Sequence, residues 1–395
     1  MLRSAGRIRV SHAGALPRPE RLQRLFDAGP AGEESFQEAL PEAVAEVVEQ
    51  QAEAGVDVVN DGEIGKRGLF IGYIRDRMAG FEERSFAAGA YQPPNAGVTG
   101  RDRRDFPGFF AAGLGGFRFG GAGPAHGRDT VTAYFCTGPL AYTGAARVQA
   151  DVDRLLEAVR GREVEAFLPA VTPGTVEHWL RDEFYPDDES FLFALADVLR
   201  EEYRAITDAG LILQVDDPDL PDGWQMFPDM TVPEYLDYAA LRVAALNHAL
   251  RGIPEDQVRL HICWGSHHGP HRDDIALRHL TELVFKVPAR CYSIEGANPR
   301  HEHEWAIWER VRLPEGKLLM PGVVGHATDI IEHPELVAQR LERFAGLVGR
   351  ENVIAGTDCG FCQGWHEIRV HPSIQWAKLR ALAEGARLAS ERLWP

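Results

Sequence analysis

The chain has no run of 18 apolar residues, so nothing in it is expected to span a bilayer. Positive charge is also scarce. The 42 Lys and Arg are outnumbered by 59 Asp and Glu, for a formal charge of −17. Nucleic acid and anionic membranes both call for a basic surface, so neither is expected as a partner. Cysteines are few and odd in number: Cys136, Cys263, Cys291, Cys359 and Cys362. Such a set in a long chain is not a disulfide framework. A cytoplasmic, reducing location is therefore expected, and the opening MLRSAGRIRVSHAGALPRP has no apolar core of a secretory signal. Each thiol is then a metal ligand, a nucleophile or a core residue. Hydrophobic residues make up 45% of the 395 positions, enough for a full-sized core. Charged residues, at 26%, argue against global disorder. The length allows two or three small domains or one large barrel.

Short β-branched runs alternate with longer stretches of helical period. Candidate strands are Ile8–Val10, Val56–Asn60, Thr132–Cys136, Glu165–Leu168, Leu211–Val215, Val258–Cys263, Arg290–Ile294, Lys317–Met320 and Asn352–Ala355. Candidate helices include Pro41–Ala54, Ser190–Ala209, Val232–Arg251 and Glu335–Val348. The alternation implies parallel βαβ units. Polar or Gly-rich signals (DGE, TGP, VDDP, HICWG, IEG, PGVV, GTDCG) follow strand after strand. Chemistry at many strand ends fits an α/β fold of the (β/α)8 TIM type. An open doubly wound sheet would concentrate it at one switch point. Nine candidates exceed eight strands, and the first run is expected to be the extra one, packed across the mouth. The whole chain, 1–395, reads as a single barrel domain with one insertion, 81–127. That insertion is rich in Gly, Arg, Phe and Pro and has no sustained period. It is either a lid or wall packed through Phe106, Phe109, Phe110 and Phe117 or a mobile surface insertion.

The sharpest chemical signal is His261-Ile262-Cys263. Strand alternation points 261 and 263 to one face, and imidazole and thiolate are zinc's preferred donors. Glu295 in YSIEG and Cys359 in GTDCG close two further strands. Three strand ends thus bring His261, Cys263, Glu295 and Cys359 to one mouth, a tetrahedral set for one Zn2+ per chain. Two thiolates disfavour magnesium or calcium. The competing account is three unrelated strand ends with buried cysteines.

In this order HICWG, IEG, PGVV and GTDCGF resemble the catalytic barrel of the cobalamin-independent methionine synthase family. That group includes the zinc-dependent epoxyalkane:coenzyme M transferases. SHAGALPRP, VVNDGE, CTGP, LQVDDP and RVHPSIQWAKLRALAEGARLAS extend the resemblance over almost the whole chain. It implies a zinc barrel that activates a small thiol and alkylates it with an alkyl donor. His261, Cys263, Glu295 and Cys359 match the zinc ligands. Glu63 and Asp216 match the Glu and Asp that grip the homocysteine ammonium, a charge-assisted clamp. SHAGALP occupies the place of a carboxylate-binding motif. Ala15 stands where its Ser would be, and Gly14 is expected to help through backbone N–H groups. His326 in PGVVGHATD is the candidate general acid, at an approximate match, and a capping or structural role is the alternative. Gly325 replaces an acidic residue usual nearby. No residue matches the aromatic that stacks on the pterin. The separate N-terminal barrel of full-length methionine synthase has no counterpart in these residues.

The remaining polar residues carry weaker signals. Asp61 and Asp217 read as cap or turn acids. Lys66, Arg67 and Arg18 are carboxylate or sulfonate binders, or else solvated loop charges. His267, His268, His271, His301 and His303 read as surface residues or as support behind the ligands rather than as a second metal site. Asp358 is expected behind the zinc. Cys136, Cys291 and Cys362 have no ligand role.

The leading function is zinc-dependent methyl transfer from a methylated folate-type donor to homocysteine or a related thiol. Epoxide opening by a thiol such as coenzyme M comes second. A barrel related to uroporphyrinogen decarboxylase, without catalytic zinc, and a zinc-stabilised binding protein are the alternatives outside this class. The sequence gives no oligomeric state.

Overall fold

The computed structural model describes residues 1–67, 72–87, 90–93, 95–112, 130–362 and 370–395. Its strands are β1 (Arg9–Val10), β2 (Val58–Val59), β3 (Met78–Ala87), β4 (Thr130–Tyr142), β5 (Glu165–Val171) and β6 (Leu180–Asp182). They continue as β7 (Ile212–Asp216), β8 (Val258–Ile262), β9 (Cys291–Ile294), β10 (Leu318–Val324) and β11 (Ile354–Thr357). Eight pair side by side in the order β1-β11-β10-β9-β8-β7-β5-β2. Every pairing among them is parallel. A parallel bridge from Ser11 to Val58 joins the last strand to the first and closes the ring. The result is a (β/α)8 barrel.

The strands are apolar on both faces, as parallel strands under helices must be. All seven residues of β10 and all five of β8 are buried. Helices such as Asp188–Asp208, Val232–Ala249, Pro334–Val348 and Pro372–Leu393 surround them. Their starts are legible in the chain. Asp187 accepts a hydrogen bond from the Ser190 N–H, and Thr231 and Glu234 form a capping box. The helix expected from Pro41 begins earlier, at Glu33, and runs through the proline to Glu53. Burial of Phe36 and Leu40 extends it past a residue that disfavours helix interiors. Inside the barrel the buried Arg259 guanidinium lies 3.9 Å over the Phe167 ring. It donates to Ser11 Oγ at 2.9 Å and to the His12 carbonyl at 3.2 Å, tying β8 to the end of β1.

One strand expectation is corrected. The first run is not an extra strand across the mouth but a barrel strand, β1. The extra strand is Thr132–Cys136, which lies within β4. It pairs antiparallel with β3 and parallel with β6 in a separate three-stranded sheet. β3 and β4 both lie in the connection between barrel strands β2 and β5. The described part of 81–127 therefore includes most of a hairpin arm, followed by two short helices, Gly100–Asp105 and Pro107–Ala111. Arg101 donates to the carbonyls of Trp224, Phe227 and Met230, which fastens this segment to the chain beyond β7. Phe109 and Phe110 pack edge to face at 5.1 Å, and Arg272 lies 5.8 Å from the Phe106 ring. Phe117 lies outside the described residues. No helix among those residues is long and apolar enough to cross a membrane.

Candidate metal centre

β8 delivers His261 to the mouth, and Cys263 follows one residue past its end. Cys359 follows β11 by two residues. A His261 ring nitrogen and the two sulfurs all lie within 4.8 Å of one another, and all three residues are buried. Ser293 Oγ sits 3.0 Å from His261 Nδ1. With Nδ1 donating to that hydroxyl, Nε2 keeps its lone pair for a metal, the usual device for orienting a ligand imidazole. Nε2 is buried and bonded to no nitrogen or oxygen among the described residues.

The two thiols are not equivalent. The Cys263 Sγ–H donates to Cys359 Sγ at 3.6 Å, and the Ser266 hydroxyl donates to the same sulfur at 3.3 Å. The bond from Cys263 and contact with His261 overcome burial and hold Cys359 well below the ordinary thiol range. The bond to Cys359, together with burial, pushes Cys263 well above it. Burial disfavours a charged His261, but the Cys359 sulfur more than compensates and raises it. The trio thus presents one sulfur whose ionisation is favoured, a second thiol beside it and an oriented imidazole. That donor set fits zinc.

Glu295 sits elsewhere. It falls into a second group with His326 and Asp358, whose ligand atoms also lie within 4.8 Å of one another. Its Oε2 accepts the Trp264 N–H at 2.8 Å and its Oε1 accepts Asn298 Nδ2 at 3.0 Å. Asp358 Oδ1 takes the N–H groups of Gly296 and Ala297 at 2.8 and 2.7 Å. Burial and the neighbouring Glu295 push Asp358 up to about 8. His326 is buried, and its charge bears on Cys359.

The trio opens into a pocket whose walls include Ala13, Ala15, Glu63, Asp216, Trp179 and Asp222. Glu63 adopts a left-handed backbone with φ 56°. Its Oε2 pairs with Lys66 Nζ at 3.1 Å, and Lys66 also donates to the Pro169 carbonyl at 2.8 Å. Asp216, at the end of β7, accepts Gln214 Nε2 at 2.7 Å. Burial pushes it up to about 7, a rise opposed by His261 and aided by Glu63. Gly14 has φ 143°, and a Cβ there would stand 2.6 Å from Glu63 Oε1. The glycine is required by that approach. Its own N–H is engaged by His12 Nδ1 at 3.2 Å rather than offered to the pocket.

Several expectations change with burial. Lys66 is buried rather than solvated, while Arg18 and Arg67 are half-buried and Arg67 pairs with Glu33. Asp61 is a turn acid, accepting the Glu63 N–H at 2.9 Å, yet burial raises it to about 6. Asp217 is also buried and is raised to about 7 by burial and Asp219. His268 and His303 are exposed, but His267, His271 and His301 are buried. Sequence reasoning missed several wall residues, Trp179, Asp222 and Val98 among them. Trp179 ends the helix after β5, Asp222 lies in the helix after β7, and Val98 comes from the 81–127 segment. The only signal in the chain was Trp179 in VEHWL and the repeated acids of VDDPDLPD.

Residues 100–371 match the family model described as the catalytic domain of cobalamin-independent synthase. The methionine synthase of Pyrococcus horikoshii is 24% identical over 356 residues, covering 89% of this chain and 85% of its own. That of Sulfolobus acidocaldarius is 25% identical over 388 residues, covering 96% and 91%. Among solved structures, a B12-independent methionine synthase from Shewanella sp. W3-18-1, in complex with selenomethionine, superposes with a TM-score of 0.69. It is 21% identical and is covered to 99%, against 98% of this chain. A methyltransferase from Methanosarcina mazei gives a TM-score of 0.52 at 14% identity, over 99% of this chain and 95% of its own. At such identities these two structures bear on the fold.

Proposed function

The chain belongs to the cobalamin-independent synthase catalytic-domain family, and from that premise we propose that it is a zinc-dependent methyltransferase acting on homocysteine with a methylated folate-type donor. One observation carries the reading. The His261, Cys263 and Cys359 ligand atoms converge at a pocket whose other wall holds Glu63 and Asp216. Zinc bound there would lower the pKa of an incoming thiol and hold it as the reactive thiolate. His261, Cys263 and Cys359 would hold the metal, and Glu295, which rests beside them in the second group, would serve as a displaceable fourth ligand.

Glu63 and Asp216 grip the amino group of the thiol substrate. Glu63 adds to the cost of ionising the buried Asp216, and an ammonium between them would offset it. A sulfonate thiol would meet these same carboxylates unfavourably, because the nearby Lys66 is already paired with Glu63. That favours an amino-acid thiol over coenzyme M. Trp179 gives the pocket an aromatic wall, and Asp222 has a buried Oδ1 with no hydrogen-bond partner among the described residues. A reduced pterin offers a flat face for the first and N–H groups for the second. Methyl loss leaves a basic nitrogen on the donor, which needs a proton. His326 supplies it in this reading, from its place beside Glu295 and Asp358. Val98 brings the described part of the 81–127 segment to the pocket wall, which supports a packed wall there over a mobile surface insertion.

The test is to supply zinc-loaded protein with homocysteine and methyltetrahydrofolate, in mono- and polyglutamate forms, and to measure methionine. Methionine that disappears in folded Cys359→Ser supports the reading. Protein that holds one zinc but makes none would discard this donor and acceptor pair and move the search to epoxides.

A further inference from the structure

Glu295 lines the cavity behind the metal ligands, not the mouth pocket they open into. Its neighbours there include Leu277, Ile294, Trp305, Trp308 and Phe344. A carboxylate against such a wall is costly unless its oxygens are hydrogen-bonded. Both are, one by the Trp264 N–H and one by Asn298 Nδ2.

Each donor is fixed by bonds that have nothing to do with Glu295. The Trp264 indole is fully buried, and its Nε1–H donates to the Ile275 carbonyl at 2.7 Å. Its face stacks on the His301 ring at 3.9 Å. Asn298 Oδ1 accepts the Arg300 N–H at 2.9 Å. The Asn298 carbonyl accepts the N–H groups of His301 and Glu302 at 2.9 and 2.8 Å. Since Arg300 can only donate here and Glu295 can only accept, the amide has one orientation. The two donors are therefore aimed at Glu295 by the surrounding fold.

We propose that Asn298 and the Trp264 N–H form a dock that receives the Glu295 carboxylate when a substrate thiol displaces it, making Asn298 a positioning residue for thiol entry. The proposal rests on the zinc reading above. Four protein ligands leave no position for a thiol. Glu295 therefore divides its time between metal and dock, and the division follows the difference in free energy between the two places. A hydrogen bond to a charged group of this kind shifts such an equilibrium by about ten- to hundredfold.

Asn298→Asp is the sharpest test. It keeps the acceptor for Arg300 but removes the donor and sets a like charge beside Glu295. Zinc affinity is measured by chelator competition. Homocysteine binding is measured from the visible and near-ultraviolet bands of the cobalt(II)-substituted protein. With the dock weakened, Glu295 stays on the metal. Zinc is then held about tenfold or more tighter, and homocysteine about tenfold or more weaker. General damage to the fold would weaken both together. Asn298→Ala is the second variant, with the same pair of opposite shifts expected. In a Glu295→Gln background, Asn298→Asp should change neither constant. Unchanged zinc and homocysteine constants in both Asn298 variants overturn the dock and leave the zinc reading standing. Wild-type protein that binds no metal, or whose cobalt bands ignore homocysteine, overturns the zinc reading itself and the dock with it.

Discussion

Two histidine-bearing clusters are linked through Trp264, and they follow opposite rules. At the mouth, His261 has one nitrogen held by Ser293 and the other turned to two sulfurs, one of which ionises readily. Behind Trp264, Asp274 Oδ2 bridges His271 Nδ1 at 2.8 Å and His301 Nε2 at 3.0 Å. Glu304 takes the other nitrogen of His301 at 2.9 Å, and the His267 and His271 rings stack at 3.9 Å. Burial opposes charge on His301, but Asp274 and Glu304 prevail and push it up to about 9. The histidines hold Asp274 far below the usual carboxylate range against its burial. The first cluster offers lone pairs to a metal. In the second, carboxylates already occupy both nitrogens of His301. Histidine count does not mark a metal site; what faces the nitrogens does.

The largest expected effect is on the open cluster. Cys359→Ser removes the ionised ligand, and zinc affinity should fall by more than about a hundredfold, beyond the loss typical of a residue that only supports a ligand. Chelator competition measures it, and circular dichroism should show the fold intact, because the barrel core does not depend on that sulfur. If zinc stays bound with wild-type affinity, the open cluster is not the metal site. Asp274→Asn should do the reverse. It strips His271 of its paired carboxylate and leaves His301 with Glu304 alone, and breaking a buried ion pair costs about 3–5 kcal/mol of stability. Denaturant melts should record that loss, while one zinc per chain is still bound. A variant as stable as wild type would show that the closed cluster is not the clamp its geometry describes. Gly14→Ala is smaller and more local. Its Cβ would press on Glu63 Oε1, so KM for homocysteine should rise about tenfold or more with zinc affinity unchanged. An unchanged KM would remove Glu63 from the ammonium clamp.

How much of this was legible in the chain depended on whether the signal was local. The barrel showed through because polar residues follow strand after strand. The His261 and Cys263 pair showed through because strand alternation is a local rule. β1 was legible as a strand but its place was not, since only its pairing with β11 and the Ser11 bridge put it in the barrel rather than across the mouth. The place of Glu295 was equally hidden. Its position in IEG puts it at a strand end, but the donors on Trp264 and Asn298 decide where the carboxylate rests. The sequence left the histidines undivided between surface and supporting places, because Asp274 and Glu304 meet His271 and His301 only in three dimensions. Trp179 belonged to no motif, and only the curvature of the barrel mouth places it in the pocket wall.

The smallest expected effect tests the closed cluster through pH. His301 has an ordinary value of 6.5 and is raised to about 9 in the folded chain. A raised value means the folded state holds the proton more tightly than the unfolded one. The resulting stability is fully present below about 6.5 and is lost as pH climbs through about 9. For one proton the slope in that window is at most about 1.4 kcal/mol per pH unit. His271 is raised too, with burial opposing and Asp274 winning, so it contributes a slope of the same sign. His301→Gln should therefore flatten the decline between about 6.5 and 9 without abolishing it. The measurement is unfolding free energy from denaturant melts at several pH values, on wild type and variant with the metal saturated throughout. Equal slopes would mean that His301 gains nothing from Asp274 and Glu304, and the contrast between an open and a closed cluster would fail at its second half.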